Sequence, residues 1–369
     1  MAIIPDYLKW RGDIPFSVSP FNDVDNYIVS KIGCPDFSGI VPSDKKEIAI
    51  GEAVVKYHKK YGSDVKLGAL ASNLIIPMLT LLPATERFAR LKLSGYVNKV
   101  DSSNVEQFSA LTVTLPDGTH YVSFRGTDDT LIAWKENFNM SVKHPVPAQL
   151  DALEYLKKAA AEYDGKLIVG GHSKGGNLAV YASVNAQREI QDRIVHVYSN
   201  DGPGFTDEFY KNDGYAEISD RITTILPYYS TVGVLLKQGS YTVVKCGRAG
   251  PASHDGYFWE TQPDGFVQAD SLSKSSLAMM QGISELVHDT DDSELQDFID
   301  DFFGILESTG ATSLSDFTEM KLKNALKLAG SMGYDKSVRR FTVNMLENIA
   351  KDYEQLSSSH NSSVKIENL

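Results

Sequence analysis

The chain has 369 residues, of which 42% are hydrophobic and 23% are charged. These fractions are close to the averages of soluble globular proteins, so a substantial packed core is expected and wholesale disorder is excluded. The net charge of -12 offers no basic surface to a nucleic-acid backbone, and a DNA or RNA partner is not expected. Two cysteines, Cys34 and Cys246, are too few for a disulfide framework, although one bridge between them is compatible with the sequence.

The N-terminus, MAIIPDYLKWRGD, lacks the basic segment and apolar run of a secretory signal, so a cytoplasmic location is expected. The most apolar stretch runs from Leu67 to Ala84 but contains Asn73, Pro77 and Pro83, which disfavour a membrane-spanning helix. We predict that this stretch is a buried element of the fold. A lid or a lipid-touching surface is the alternative, and it would allow transient membrane or lipid contact.

Patterns of apolar residues predict the elements in chain order. Residues 1–90 mix turn-rich and helical patterns and are interpreted as an N-terminal extension packed on the core. From near Phe108, SALTVTL and THYVSF alternate around the turn PDG and predict a β-hairpin. Next come a helix over 148–163, the strand KLIVGG, a helix after Gly175, and strands in IVHVYSND, ITTILP and SYTVVKC. This alternation predicts an α/β core over 91–270, with a mainly parallel sheet and helices on both faces.

The last hundred residues have only helical patterns. LQDFIDDFFGILES spaces its apolar residues at helical intervals, and KNALKLA and FTVNMLENIAKDY repeat that style. Residues 271–369 are therefore predicted to form a helical C-terminal segment that caps the core. SSSHNSS, near the end of the chain, is low in complexity and is expected to fray.

The segment Gly171-His172-Ser173-Lys174-Gly175 has the form G-x-S-x-G and stands between the predicted strand LIVG and a predicted helix. This is the context of a nucleophile elbow, in which small neighbours let the chain turn sharply from strand to helix. The serine hydroxyl then projects from the carboxyl edge of the sheet, and the helix N-terminus favours negative charge on the reacting oxygen. A structural turn is the alternative, because G-x-S-x-G also occurs by chance.

A serine hydroxyl is a weak nucleophile, and near neutral pH its proton is usually accepted by a histidine. His254, in GPASHDGYFW, follows the last predicted core strand, where the base of an α/β-hydrolase stands in chain order. A surface position in the loop is the alternative for His254. His196 lies in a predicted strand and is expected to be packed or paired with backbone. His288 stands in the acidic tail, and His172 is expected to point away from the adjoining serine.

An acid should hold the histidine in the correct tautomer and stabilise its charged form. Asp201, in YSNDGPGF at the end of the strand after the nucleophile, fits the chain order serine, aspartate, histidine. Asp220 and Asp255 are rivals, and Asp255 adjoins the histidine that it would have to orient. A turn rich in Asp, Gly and Pro is the structural alternative for NDGPGF.

Acyl transfer also requires hydrogen-bond donors for the developing oxyanion. One is expected to be the backbone N–H of Lys174, directly after the nucleophile. The second is expected from the loop Arg125-Gly126-Thr127-Asp128 that follows YVSF, where Thr127 could supply both its N–H and its hydroxyl. An ordinary polar turn is the alternative for this loop.

Two segments, FRGTDDTLIAWKENFN and GGHSKGGNLAVYAS, resemble the class 3 lipases, in which a strand ending F-R-G-T or F-R-G-S precedes a G-H-S-x-G elbow. The chain resembles more closely an uncharacterised bacterial family of the α/β-hydrolase superfamily. The shared features are YLKWRGDIPFSVSPFNDVDNYI, GHSKGGN, NDGPGF, a P-x-x-S-x-V-G stretch and the pair His254-Asp255. The resemblance spans residues 7–260 and implies an α/β-hydrolase fold with, by analogy, an esterase or lipase-like activity.

The chain departs from the class 3 lipases in two places. Those enzymes usually carry their acid one strand later, in a D-x-V-P context, where ILPYYSTVG offers Ser230 and no carboxylate. The helical tail has no counterpart in the lipase pattern. In the region of the lipase lid, LIAWKENFNMSVKHPVPAQ contains Trp134, Phe138 and Met140, which either meet an acyl chain or pack on the fold.

The leading hypothesis is hydrolysis of a carboxylic ester, with acyl lipids among the substrates considered. Ser173 attacks and becomes acylated, His254 transfers the proton and Asp201 orients His254, while Lys174 and Thr127 stabilise the oxyanion. No metal or organic cofactor is expected. The alternatives are thioester or amide cleavage by the same residues, and a non-catalytic binding protein that uses its acidic surface or tail.

Overall fold

Eight strands form one continuous sheet in which each strand pairs with its neighbour in the sequence. The computed structural model describes residues 1–312 except 68–70, 102, 104, 128–129, 141, 143–144, 290, 309 and 311. The strands are β1 (Ile48–Ala49), β2 (Lys92–Asp101), β3 (Glu106–Thr114), β4 (His120–Phe124), β5 (Leu167–His172), β6 (Ile194–Asn200), β7 (Ile222–Pro227) and β8 (Thr242–Val244). The four pairs from β4 to β8 are parallel and the three from β1 to β4 antiparallel, so the predicted, mostly parallel sheet is confirmed.

Helices lie on both faces of this sheet. They are α1 (Ile4–Arg11), α2 (Asp23–Lys31), α3 (Ile50–Tyr61), α4 (Ile75–Leu81), α5 (Leu131–Asn139), α6 (Pro147–Glu162), α7 (Lys174–Asn185), α8 (Arg188–Gln191), α9 (Asp213–Ile218), α10 (Lys274–Asp289) and α11 (Asp292–Ser308). Side chains of α1 to α4 share one hydrophobic cluster with the sheet, and those of α6, α7 and α9 share another. The fold is that of an α/β-hydrolase.

Strand β5 shows how the sequence builds these two layers. All six of its residues are buried, as expected for a parallel strand covered on both faces. Side chains alternate along a strand, so Ile168 joins the cluster of the N-terminal helices while Leu167 and Val169 join that of α6 and α7. The strand therefore ends at His172, between two packed layers, and positions the residue that follows it.

Side chains of α1 to α4 pack on the first of these faces, where α2 also contributes to a buried ion pair. Arg87 and Asp25 are both fully buried there, with Arg87 Nε donating to Asp25 Oδ1 at 2.7 Å. The guanidinium also donates to the carbonyls of Ile14, Ser19 and Pro20, so its buried charge is fully engaged.

The apolar stretch from Leu67 to Ala84 contains α4, whose side chains join the core. The buried residues there are Ile75, Ile76, Met78, Leu79 and Leu82. For α4 and Leu82, this confirms the prediction of a buried element. Within the described ranges, no helix is both long and apolar enough to cross a membrane.

One feature differs from the sequence predictions. The sheet begins earlier than Phe108, because β1 and β2 precede it and eight of the ten residues of β2 pair with β3. A register shift between Ser94 and Val97, around Gly95 at φ 66°, breaks the alternation that would reveal β2. Cys34 and Cys246, for which a bridge was left open, are free thiols.

Helix α11 contains the apolar pattern predicted in LQDFIDDFFGILES. Its buried side chains are Leu295, Ile299, Phe302, Phe303 and Leu306. The two later helical patterns of the tail lie in 313–369, outside the described residues.

Candidate functional site

Ser173 occupies the sharp turn between β5 and α7. Its backbone has φ 60° and ψ -132°, a region that non-glycine residues rarely enter, and it stands at the N-cap of α7. Residues held in such a conformation cost about 1–3 kcal/mol and concentrate at functional sites. The local geometry is therefore that of the predicted elbow.

Glycines allow the neighbouring strands to approach this turn. A Cβ atom on Gly175 would collide with the carbonyl of Phe124, the last residue of β4. A Cβ atom on Gly126 would lie 3.1 Å from Cβ of Ser173. The loop after β4, from which an oxyanion donor is predicted, therefore lies directly beside Ser173.

Asp201 follows β6, the strand next to β5, and is fully buried. Its Oδ2 lies 2.6 Å from Nδ1 of His254. Its Oδ1 accepts hydrogen bonds from the hydroxyl of Ser230 at 2.6 Å and from the N–H of Gly233 at 3.1 Å. Ser230, which stands where the lipase pattern has its acid, thus binds the carboxylate supplied by another strand.

His254 ends a short 3₁₀ turn, Gly250–His254, that follows β8. Its side chain is 23% exposed, so it is open to solvent on one side while its Nδ1 faces the buried carboxylate of Asp201. Since Nδ1 is engaged, Nε2 is the nitrogen available to exchange a proton. The structure therefore brings Asp201 and His254 into direct contact, as the sequence predicted for this pair.

The two rival acids occupy other environments. Asp220 lies in a 3₁₀ turn before β7, and its side chain is 83% exposed and lies near Arg221. Asp255 is buried and accepts a hydrogen bond from the N–H of Tyr257, at the start of the next 3₁₀ turn. Burial raises the pKa of Asp255.

His172, directly before Ser173, connects α2 to the loop that carries His254. Its Nδ1 lies 3.2 Å from Nζ of Lys31, and its Nε2 lies 2.8 Å from the carbonyl oxygen of His254. Burial above all, then Lys31 and His254, lower the pKa of His172 well below 6.5. The ring is therefore neutral, with Lys31 donating to Nδ1 and Nε2 donating to the carbonyl of His254.

Because His172 is neutral in the folded protein, we expect the protein to lose stability in acid. An unfolded chain takes up a proton at His172 near pH 6.5, whereas the folded chain does so only at lower pH, so the free energy of unfolding falls as pH falls below about 6.5. We expect His172→Asn to flatten this decline by up to about 1.4 kcal/mol per pH unit. Urea unfolding between pH 5 and 8 measures both slopes, and equal slopes would contradict the prediction.

A buried amide network holds the ends of β5 and β6. The side-chain amide of Asn200 donates to the carbonyl of Gly171 at 3.0 Å, and its oxygen accepts from Asn26 of α2 at 2.8 Å. The hydroxyl of Tyr121 donates to Asn26 at 2.7 Å, and the N–H of Ser173 donates to the carbonyl of Asn200 at 2.9 Å. The N-terminal helix α2 thus supports the strand ends that carry Ser173 and Asp201.

The predicted oxyanion residues lie on two sides of the elbow. Lys174 begins α7 and is fully buried, with Nζ donating to Glu136 Oε2 at 2.8 Å and to the carbonyl of Gln107 at 2.5 Å. The hydroxyl of Thr127 accepts a hydrogen bond from the amide of Asn137 at 2.6 Å. Asp128, the last residue quoted for this loop, lies outside the described residues.

No pattern in the sequence indicated a role for Glu136. It lies on α5, is fully buried, and accepts hydrogen bonds from the N–H groups of Gln107 and Ala148 in addition to Lys174. A glutamate within the amphipathic pattern LIAWKENFN carries no local signal of burial, because its partner stands 38 residues later in the chain.

The region that was compared with a lipase lid packs on the fold. Phe138 contacts Phe302 and Phe303 of α11, with ring centroids 6.1 and 5.5 Å apart, and Met140 is fully buried. Lys135 of α5 also pairs with Asp300 of α11 at 2.7 Å. Of the two readings left open by the sequence, packing is therefore the observed one for Phe138 and Met140.

His196 and His288 are the two other histidines that the sequence analysis considered. His196 lies in β6, stacks on Tyr198 with ring centroids 4.1 Å apart, and places Nε2 2.7 Å from the hydroxyl of Thr223. It is packed as predicted, but its partner is a side-chain hydroxyl and not the backbone. The side chain of His288 lies outside the described part of the chain.

Comparison with known proteins identifies the family. The Mbeg1-like family model matches residues 82–304, more than half of the chain. Among solved structures, the chain is similar to M37 lipase, at 16% identity and TM-score 0.34, over 47% of this chain and 67% of that one. It is also similar to Rhizomucor miehei lipase in a propeptide complex, at 15% identity and TM-score 0.31, over 59% and 75% of the two chains. No curated protein sequence matches. The chain belongs to the Mbeg1-like family, a lipase-like family.

Proposed function

We propose that this protein is a serine hydrolase that cleaves carboxylic esters, including acyl lipids, through an acyl-enzyme on Ser173. The observation that carries the proposal is the 2.6 Å contact between the buried carboxylate of Asp201 and Nδ1 of His254, at the sheet edge where Ser173 stands in a strained elbow. Aspartate, histidine and an elbow serine at one sheet edge are the groups that acyl transfer requires.

The reaction proceeds in two balanced halves. Ser173 Oγ attacks the ester carbonyl while His254 Nε2 accepts its proton, and the tetrahedral intermediate expels the alcohol, which takes that proton from His254. Water then gives a proton to His254 and attacks the acyl-enzyme. Collapse of the second intermediate releases the carboxylic acid, and Ser173 Oγ takes the proton back from His254. The N–H groups of Lys174 and Thr127 stabilise the oxyanion in both halves.

Asp201 orients His254 and stabilises its charged form. The hydrogen bonds from Ser230 and Gly233 hold Oδ1, so the carboxylate cannot rotate away from the imidazole. These contacts also offset the cost of burying a charge. No metal or organic cofactor takes part in this scheme.

A non-catalytic binding protein on the same fold is the weaker reading. Neither the positive φ of Ser173 nor the burial of Asp201 contributes to a binding surface, and each costs free energy of folding. Thioester or amide cleavage would use the same residues, because the preference for a leaving group is set by pocket shape.

The proposal is tested with the wild-type protein. We expect a fluorophosphonate probe to label it, with the adduct on the peptide that contains Ser173, and p-nitrophenyl esters of short to long acyl chains to be hydrolysed. Matched thioesters and anilides with the same acyl groups serve as the comparison. Folded protein that neither labels nor turns over any of them would favour the binding-protein reading, and faster thioester or anilide cleavage would reassign the substrate class.

A further inference from the structure

The ion pair between Lys174 and Glu136 joins the elbow to α5 inside the protein. Both side chains are fully buried and their charged atoms are 2.8 Å apart. Removing two charges from water costs several kcal/mol per ion, and the cost is offset only when hydrogen bonds satisfy both groups. Here Lys174 also donates to the carbonyl of Gln107, while Glu136 accepts from the N–H groups of Gln107 and Ala148.

Asn137, the residue after Glu136 on α5, binds Thr127, which carries the second proposed oxyanion donor. The amide of Asn137 donates to the hydroxyl of Thr127 at 2.6 Å. Consecutive residues of one helix therefore bind the two residues whose N–H groups are the proposed oxyanion donors: Glu136 binds Lys174, and Asn137 binds Thr127.

We infer that Glu136 and Asn137 are positioning residues that fix the separation of the two oxyanion donors. This inference rests on the proposed function and extends it to α5. Both act through the side chain of another residue, so neither needs to contact the substrate. A hydrophobic pair could fill the same volume. The charge pair of Lys174 and Glu136, with its three further hydrogen bonds, also fixes the direction in which each side chain points.

The packing of α5 is consistent with a fixed support. Its far side is held by α11, through Phe138 against Phe302 and Phe303 and through Lys135 against Asp300. Helix α5 is thus held by Lys174 of the elbow and by α11. A helix that is fixed in this way can hold the two oxyanion donors at a set distance, as electrostatic stabilisation of a transition state requires.

The expected signature is a loss of kcat with little change in KM. Donors that are displaced bind the transition state less well, while the ground-state contacts of the substrate stay in place. Removing one oxyanion donor outright lowers kcat by about 10²–10³. For displaced donors we expect about 10–100-fold, in Asn137→Ala and in Glu136→Gln.

The experiment measures kcat and KM of the most reactive p-nitrophenyl ester, with circular dichroism and thermal unfolding of each variant. Glu136→Gln leaves the charge of Lys174 buried without its partner, and this single variant can fail to fold for that reason. The double variant Glu136→Gln with Lys174→Met has a neutral pair at the same place. It tests whether the ion pair positions the oxyanion donors even if the single variant does not fold. The matched control is Gln191→Ala, just beyond the other end of α7, where the amide donates to the carbonyls of Ser183 and Val184.

We expect the control to lower the melting temperature while its kcat stays within about twofold of wild type. Folded Asn137→Ala and double variants with wild-type kcat would overturn the inference and leave the proposed function standing. An equal loss of kcat in Gln191→Ala would also overturn it, since the effect would then follow stability. A folded wild-type protein without labelling or turnover would overturn the proposed function, and this inference with it.

Discussion

Replacing Ser173 with alanine is expected to abolish fluorophosphonate labelling and to lower kcat for ester hydrolysis by roughly 10⁴–10⁶-fold. Without the hydroxyl no acyl-enzyme can form, and only the residual stabilisation by the oxyanion donors remains. His254→Ala is expected to have a similar effect, because the serine then has no acceptor for its proton. The two losses should not add, since the two residues act in one step.

Ser183 provides the matched control for this prediction. It is a fully buried serine on the same helix α7, away from the elbow. Ser183→Ala is expected to keep labelling and turnover within about threefold of wild type, as for a residue outside the reacting groups. If Ser173→Ala retained both labelling and turnover, another residue would be the nucleophile.

Asp201→Asn is expected to reduce kcat by roughly 10³–10⁴-fold with the fold intact. The hydroxyl of Ser230 and the N–H of Gly233 both donate to the Oδ1 position, so the amide oxygen of an asparagine will lie there. Its NH₂ group then faces Nδ1 of His254 and stabilises the tautomer that carries the proton on Nε2. That tautomer cannot accept the proton of Ser173.

Asp255→Asn tests whether Asp255, and not Asp201, is the acid that orients His254. Asp255 binds the N–H of Tyr257, and an asparagine oxygen can accept the same hydrogen bond, so kcat should change by less than about tenfold. Steady-state kinetics and thermal unfolding of both variants measure the contrast. A large loss in Asp255→Asn beside an active Asp201→Asn would exchange the assignments of the two carboxylates.

The sequence predicts those parts of the fold and site that are encoded locally. Strand β5 and helix α7 have strong periodicity on either side of G-x-S-x-G, and both were predicted within a few residues. Asp201 follows β6 and His254 follows β8, and parallel strands that end at one sheet edge bring such residues together. Their contact therefore follows from topology and chain order.

The contacts that support the site could not be predicted in this way. Lys31 and His172 are 141 residues apart, and Asn26 and Asn200 are 174 residues apart. Each is an ordinary polar residue in its own segment, and only the packing of α2 under the sheet gives it a partner. Strand β2 was missed for a local reason, since the bulge at Gly95 interrupts its alternation.

The packing of α11 against α5 has a consequence for biosynthesis. The ribosome completes the sheet, the elbow and the loop of His254 before it has made Phe302 and Phe303, the residues that cover Phe138. A nascent chain that stops before α11 therefore contains every proposed reacting group but leaves one side of α5 uncovered. Because domains generally fold as units, the arrival of α11 supplies the described residues that cover this side of α5.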